Sequence, residues 1–166
     1  MAPMVATADE AAWFAERARA AGIARAGVMI EVPAAALSAR EVLDAVDFVS
    51  VGTNDLAQYT FAADRQLGAV ATLNDPWQPA LLRLIGLVGD AAKATGKPAG
   101  VCGEAAADPG LARVLVGLGV TSLSMNAASV RAIGAGLAGV TLAECERAAQ
   151  QALAAPNAQA ARTATK

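Results

Sequence analysis

The side chains of this chain that could do chemistry stand directly behind its apolar segments. Glu31 follows one apolar run, Asn54 and Asp55 follow a second, and Cys102 ends a third. Two carboxylates at neighbouring strand ends can hold a hard divalent cation such as Mg²⁺ through oxygen. Arg65 offers a planar fork of donors that stays charged, so with Asn54 it could bind a phosphoryl group. A protonated thiol at Cys102 could donate a proton.

Each of these residues also has a purely structural explanation. Glu31 and Asp55 could cap the helices or turns that follow them, and their spacing alone favours that explanation. Asn54 and Arg65 could be an ordinary surface-loop pair, which is the better explanation for either residue taken alone. An apolar-flanked cysteine is usually a small buried hydrophobe, but the position of Cys102 at a strand end favours exposure to a cleft.

The composition excludes several classes of site. The 166 residues contain no histidine, so Ser–His–Asp chemistry, His-ligated zinc and phosphohistidine formation on this chain are ruled out. The cysteines, Cys102 and Cys145, are far apart and form no CxxC pair, which favours a reducing compartment. We see no export signal, no apolar run that could cross a bilayer and no basic face for nucleic acid. We therefore expect a cytoplasmic protein that binds neither membrane nor nucleic acid.

The apolar pattern predicts a first helix, four strand–helix units and a last helix. Strands are predicted at 26–32, 47–51, 98–102 and 121–124. Helices are predicted at 7–24, 34–45, 79–95, 109–118, 128–137 and 141–153, with a short helix or helical loop at 56–63. We expect residues 1–155 to form the domain and residues 156–166 to be a disordered tail.

The position of the polar residues favours a parallel (β/α) barrel type of α/β fold. The strands are apolar on both faces, as in a parallel sheet covered by helices, and polar residues follow each of them. In parallel α/β barrels, catalytic groups lie at these C-terminal strand ends. A closed barrel needs eight strands and about 250 residues, so the chain is either half a barrel or a small open sheet. Half a barrel would leave two unpaired strand edges, which invite association.

Five ordered stretches resemble one known family. They are GVMIEVPAAAL, VDFVSVGTNDLAQYTFAADR, NDPWQPALLRLI, GVCGEAAADP and LGVTSLSMNAASV. Together they resemble the C-terminal phosphoenolpyruvate-binding domain of enzyme I, the phosphoenolpyruvate–protein phosphotransferase of the bacterial sugar phosphotransferase system. Pyruvate phosphate dikinase and phosphoenolpyruvate synthase share the GTNDL-like and CGE-like motifs, whereas YTFAADR and DPWQPA look closer to enzyme I. The fold implied is the C-terminal half of a (β/α)8 TIM barrel, with about four βα units plus terminal helices.

The resemblance also implies a role for each matching side chain. By resemblance, Glu31 and Asp55 bind Mg²⁺. Asn54 and Arg65 contact the phosphate of phosphoenolpyruvate, and Cys102 is the proton donor. Phosphoryl transfer from phosphoenolpyruvate leaves the enolate of pyruvate, so a metal and an arginine that stabilise charge and an acid that protonates carbon suit this reaction.

The resemblance implies partners that this chain does not contain. In the family, the phosphoryl group goes to a histidine on an N-terminal domain and then to a histidine-containing phosphocarrier protein, and the full enzyme is a homodimer. This chain has no histidine, so we expect it not to catalyse protein phosphorylation alone. Two alternatives remain open at this point: a fragment of a dikinase or synthase of the same superfamily, and a non-catalytic binding or dimerisation module.

Overall fold

Short parallel strands form the centre of the molecule. The computed structural model describes residues 1–165, and within them four strands form one sheet in the spatial order β1-β2-β3-β4. The strands are β1 (Gly27–Ile30), β2 (Phe48–Gly52), β3 (Ala99–Cys102) and β4 (Ser122–Ser124). Every neighbouring pair is parallel, and each strand lies beside its predecessor in the chain. Parallel neighbours require a crossover between them, and helices supply it here.

Helices separate the strands and extend the chain at both ends. In chain order they are α1 (Ala8–Ala20), α2 (Pro33–Leu37), α3 (Ala39–Ala45), α4 (Thr53–Phe61), α5 (Pro79–Thr95), α6 (Pro109–Gly117), α7 (Ala127–Leu137), α8 (Leu142–Ala154) and α9 (Ala158–Ala164). Two 3₁₀ segments, Gly68–Asn74 and Glu104–Ala107, lie in the connections after β2 and β3. The predicted α/β architecture of four βα units plus terminal helices is confirmed.

The two faces of the sheet differ in what they carry. Side chains alternate between the faces of a strand, so positions two apart lie on the same face. One face is part of the buried core and carries Val28, Ile30, Val49, Val51, Ala99 and Val101. A row of paired positions crosses the other face and consists of Met29, Ser50, Gly100 and Ser122. Apart from Met29 the residues of this row are small, and Ser122 is exposed, as expected of an open half-barrel rather than a filled barrel interior.

Helix α5 shows why the longest helix forms where the sequence predicts it. Pro79 occupies its first turn, where the missing N–H costs no hydrogen bond. Its buried stripe of Leu82, Ile85 and Val88 recurs at helical spacing. Gly96 ends it in the left-handed conformation with φ of 66°. The predicted bounds of 79–95 are confirmed.

Two helices begin or divide differently from the prediction. The predicted helix 34–45 is wrong as a single element, because the backbone at Ser38 leaves helical geometry and separates α2 from α3. The helix after β2 starts at Thr53 rather than near residue 56, directly after the strand. The polar residues of the GTND motif therefore form the first turn of α4 and not a loop. That turn exposes backbone N–H groups that have no partner within the helix.

The prediction of a disordered tail at 156–166 is wrong for most of that segment. Ala158–Ala164 forms α9, with Ala158 and Ala161 buried. Asn157 caps the helix by accepting a hydrogen bond from the Ala160 N–H at 2.9 Å. An ion pair between Arg162 and Asp75, 87 residues apart, fixes the helix to the body of the protein. Lys166, the last residue of the predicted tail, lies outside the described residues.

Candidate functional site

The carboxyl ends of β1, β2 and β3 bring the predicted residues Glu31 and Cys102 to one rim. Gly52 pairs with Cys102 and Cys102 pairs with Ser124, so these strand ends are level. Glu31 follows β1, and its side chain lies against Gly52: a Cβ at Gly52 would come within 2.5 Å of Glu31 Oε1. Glu31 and Cys102 therefore flank the end of β2 on the same face of the sheet. We call this edge, with the first turn of α4, the strand-end rim.

Glu31 is a buried carboxylate that lies over a glycine. The residue is 5% exposed, and its Oε2 accepts a hydrogen bond from the Met4 N–H at 2.9 Å. The glycine leaves room for this carboxylate, since a Cβ at Gly52 would collide with the Glu31 side chain in its present conformation. No ion pair with a basic side chain reaches Glu31 anywhere in residues 1–165. Because a buried carboxylate is rarely left without a cation or strong donors, the position suits a bound metal.

Asp55 and Arg65 face each other across the start of α4. The Asp55 carboxylate lies in the first turn of the helix, and Arg65 Nη2 is 3.7 Å from its Oδ1. Both side chains are partly exposed, at 30% for Asp55 and 46% for Arg65. The predicted phosphate ligand is thus near a predicted metal ligand. An anion at this place would meet the guanidinium and the unpaired N–H groups of a helix start, two features that bind phosphate.

Cys102 is held by the residue that begins α4. The Thr53 hydroxyl donates to the Cys102 carbonyl at 3.0 Å, and Thr53 is only 2% exposed. The thiol Sγ is 3.4 Å from the Val51 carbonyl, to which it donates weakly, and the residue is half-buried. This arrangement fixes the backbone of Cys102 while leaving its side chain near solvent, as a proton donor requires.

Gly103 lets the β3 end approach the first turn of α4. Its φ is +91°, and a Cβ there would lie 2.9 Å from Thr53 Oγ1 and 3.1 Å from Asn54 Oδ1. Asn54 Oδ1 also accepts from the Glu104 N–H at 3.4 Å. The two strand ends are therefore joined by side-chain-to-backbone hydrogen bonds. Sequence reasoning did not assign Thr53 or Gly103 to the site, although the GTND and CGE motifs contain them.

An open cavity of about 520 Å³ lies beside these residues. Its lining is Asn54, Gly103, Glu104, Ala107, Ser124, Met125 and Asn126. A larger and more apolar cavity, of about 710 Å³, lies at the opposite end of the sheet near Pro98 and Thr121 and contains none of the predicted site residues. Within residues 1–165, no cluster of three or more His, Cys, Asp or Glu side chains could hold a metal ion by itself. A metal here would need substrate or water oxygens in addition to Glu31 and Asp55.

Comparison with known proteins identifies the family. Residues 1–142 match the family model described as "PEP-utilising enzyme, PEP-binding domain". The chain belongs to this family. It is 65% identical over 165 residues to the phosphoenolpyruvate-protein phosphotransferase of Streptomyces coelicolor, covering 99% of this chain and 30% of that protein.

More distant relatives carry the same name. The phosphoenolpyruvate-protein phosphotransferase of Geobacillus stearothermophilus is 47% identical over 142 residues, which covers 78% of this chain and 25% of that protein. The protein of the same name from Mycoplasma genitalium is 46% identical over 127 residues, covering 76% of this chain and 22% of that protein. The chain thus spans less than a third of the length of these relatives. The resemblance found in the sequence motifs is confirmed.

Among the described helices, none combines the length and the apolar character that crossing a bilayer demands.

Proposed function

We propose that this chain forms the phosphoenolpyruvate-binding part of a phosphoenolpyruvate–protein phosphotransferase. The observation that carries the proposal is the strand-end rim, where the buried Glu31 carboxylate and the Cys102 thiol flank the end of β2, directly before the first turn of α4. Phosphoenolpyruvate has a phosphate, a carboxylate and a methylene carbon. At the rim, an arginine and helix N–H groups could bind the anionic groups of this substrate, and carboxylates could bind a cation. The thiol could donate a proton to the methylene carbon.

Glu31 and Asp55 would hold Mg²⁺ together with oxygens of the substrate and water. These two residues are of the right chemical type for this ion, because Mg²⁺ commonly takes one or two protein carboxylates plus phosphate oxygens. The cradle over Gly52 places one of these carboxylates at the rim and keeps it largely out of bulk water. When bound, the metal would stabilise negative charge that develops on the departing pyruvate oxygen.

Arg65 and Asn54 would bind the phosphoryl group. Arg65 is exposed enough to leave Asp55 and turn towards a phosphate, since its side chain is 46% exposed. A forked guanidinium can donate two hydrogen bonds to one phosphate, which fixes the orientation of the group as well as its charge. The Asn54 amide N–H₂ donates to no group among residues 1–165, while its Oδ1 accepts from the Glu104 N–H.

Cys102 would complete the reaction by protonating the methylene carbon of the enolate. Transfer of the phosphoryl group breaks the P–O bond and leaves the electron pair on the enolate oxygen of pyruvate. The enolate then forms a C–H bond at its methylene carbon by taking the thiol proton, and the resulting thiolate regains a proton from water. Thr53 would keep the Cys102 backbone in place during this transfer.

The acceptor must lie outside this chain. Because the sequence has no histidine, a phosphohistidine would form on another domain or polypeptide. We propose that a histidine-containing phosphocarrier protein then takes the phosphoryl group, that the full enzyme is a homodimer, and that it acts in the cytoplasm. The three relatives compared above are named protein phosphotransferases, which favours this function over the dikinase or synthase branch.

Calorimetry on the chain tests the binding part of this proposal. We expect phosphoenolpyruvate to give heat only when Mg²⁺ is present, and Glu31→Gln to weaken that binding by at least about tenfold. The matched control is Asp44→Asn, because Asp44 is an exposed carboxylate on α3, before β2 rather than at the strand-end rim. Binding that needs no Mg²⁺, or that is the same in the Glu31→Gln variant, would contradict the proposed metal site.

A further inference from the structure

The motif at residues 75–79, DPWQP, is bound by the C-terminal helix. Arg162 of α9 donates from Nη2 to Asp75 Oδ1 at 3.0 Å and from Nη1 to Asp75 Oδ2 at 3.3 Å. The guanidinium carbon also lies 5.4 Å from the centre of the Trp77 ring. The pair is only partly exposed, at 36% for Arg162 and 26% for Asp75. A forked ion pair beside an aromatic ring is stronger than an ordinary surface pair.

The other side of the same motif is anchored in the core. Trp77 is 2% exposed, and its Nε1 donates to Asp108 Oδ2 at 2.7 Å. The second oxygen of Asp108 caps α6 by accepting from the Gly110 and Leu111 N–H groups. The motif is therefore a fixed point, held by a helix cap on one side and by Arg162 on the other.

Residues 64–74, which we call the Arg65 loop, depend on this fixed point. Asn74 precedes Asp75, and its Nδ2 donates to the Ala63 carbonyl at 3.1 Å, which closes the base of the loop. Ala63 is 2% exposed, and two residues later the Arg65 N–H donates to Gln58 Oε1 at 3.2 Å. Beyond this base the loop lies mostly on the surface. The position of Arg65 is thus set where its loop joins the body of the protein.

We propose that Arg162 is a positioning residue that holds the Arg65 loop at the strand-end rim. It acts through Asp75 and Asn74, and it does not touch the ligand. A loop of this length loses conformational freedom when it binds, so a loop that is already held loses less and binds more tightly. The consequence for phosphate affinity rests on the proposed role of Arg65, whereas the ordering of the loop does not.

Hydrogen exchange on the full chain tests the ordering directly. The amides to follow are Arg65, Gln66, Leu67 and Val70, each of which donates a hydrogen bond within or beside the loop. We expect Arg162→Gln to accelerate their exchange by about fivefold, the effect of losing one partly exposed ion pair. Arg162→Lys keeps the charge and should restore part of the protection. Amides of β2 and β3 should not change.

The matched control is Arg83→Gln. Arg83 of α5 donates to the Leu153 carbonyl of α8 at 3.1 Å, so it also fixes the C-terminal region, but within residues 1–165 its side chain donates no hydrogen bond to the motif or the loop. Equal acceleration in both variants, or no acceleration in Arg162→Gln, would overturn the proposal.

A binding measurement separates this inference from the proposed function. In calorimetry with Mg²⁺ and phosphoenolpyruvate, we expect Arg162→Gln to weaken binding about fivefold and Arg162→Lys to recover part of it, because a held loop binds more tightly. A binding constant that is unchanged while the loop exchanges faster would overturn the positioning role. If the unmodified chain binds no phosphoenolpyruvate at all, the proposed function fails, and the exchange result still decides whether Arg162 holds the loop.

Discussion

The Arg65 guanidinium lies 3.7 Å from the Asp55 carboxylate, so the proposed phosphate ligand is paired with a proposed metal ligand. A cation bound at Asp55 would compete with Arg65 for the same oxygen. A phosphate that draws Arg65 away would in turn leave Asp55 free for the cation. Binding of the metal would therefore favour binding of the substrate, and binding of the substrate would equally favour binding of the metal.

Arg65→Gln should change the affinity for Mg²⁺ and the affinity for phosphoenolpyruvate in opposite directions. Without the competing guanidinium, binding of Mg²⁺ alone should become up to about fivefold tighter, the value of a partly exposed ion pair. Binding of phosphoenolpyruvate in the presence of Mg²⁺ should weaken by more than about tenfold, because a charge-assisted forked contact is lost. Titration calorimetry measures both. Arg40→Gln, which breaks the exposed pair with Asp44, is the control. Weaker Mg²⁺ binding in Arg65→Gln would contradict the competition.

Gly103→Ala should be more destabilising than the same change at Gly139, another glycine with positive φ. The φ values are +91° and +80°, so both substitutions strain the backbone, and with ψ of −164° Gly103 lies in a region essentially restricted to glycine, which costs about 1–3 kcal/mol for alanine. At Gly103 the new methyl group would also lie 2.9 Å from Thr53 Oγ1, whereas at Gly139 no atom of the described residues lies within 4 Å of it. We expect an additional loss of about 1–3 kcal/mol at Gly103 from this overpacking.

Chemical denaturation of the two glycine variants measures that difference. A larger loss at Gly103 would support the close approach of β3 to the first turn of α4. Equal losses would mean that this approach is not part of the stable structure.

Alkylation should distinguish the two cysteines. Cys102 is half-buried at the rim, whereas Cys145 is 2% exposed in α8. Burial raises the pKa of the Cys145 thiol, which lowers the thiolate population that reacts. We expect iodoacetamide at pH 8 to label Cys102 more than about tenfold faster, as followed by peptide mass spectrometry. Rates that are equal in the native protein would place Cys102 in the core rather than at a cleft.

Asp47 should contribute to stability in a pH-dependent way. A hydrogen bond from the Ala26 N–H at 2.7 Å, opposed in part by burial and assisted by Arg19, lowers the pKa of Asp47 below its ordinary value. The stabilisation is therefore present above about pH 4, the unfolded-state pKa of aspartate, and is lost as pH falls through the lower folded pKa. At pH 7, Asp47→Asn should lower the free energy of unfolding by about 0.5–1 kcal/mol.

Urea unfolding at several pH values checks this prediction. The variant and the parent should converge in stability as the pH falls well below 4, because protonated aspartate and asparagine carry the same charge. If the variant is still less stable than the parent at pH 2, Asp47 stabilises the protein through its packing and not through its charge.

Some elements of the fold are determined by residues within the segment itself, and others by contacts with distant residues. Helix α5 was predicted correctly at both ends, because its proline, its apolar spacing and its closing glycine all lie within the segment. Helix α9 was missed, because the contact that fixes it joins Arg162 to Asp75 across 87 residues. An alanine-rich segment of seven residues has too little local signal to predict a stable helix.

The same distinction applies to the candidate site. The positions after the strands made Glu31, Asp55 and Cys102 candidates, and their proposed roles came from the resemblance of the motifs to enzyme I. The sequence could not show that Glu31 lies over Gly52, that Thr53 holds the Cys102 carbonyl, or that Arg65 pairs with Asp55. Each of these contacts depends on the register between strands or on the path of a loop. The roles of the five predicted site residues stay predictions until they are measured.

Phosphoryl transfer by a chimera tests the account most directly. The matching segment of the Streptomyces coelicolor relative, which is 65% identical, would be replaced by this chain, and pyruvate release from phosphoenolpyruvate would be measured in the presence of a protein acceptor. We expect the chimera to be active, Cys102→Ala to lower its kcat by about 10²- to 10⁴-fold, and Cys145→Ala to leave it unchanged. A folded chimera that is inactive, or one that turns over equally fast with Cys102→Ala, would contradict the proposed chemistry of the strand-end rim.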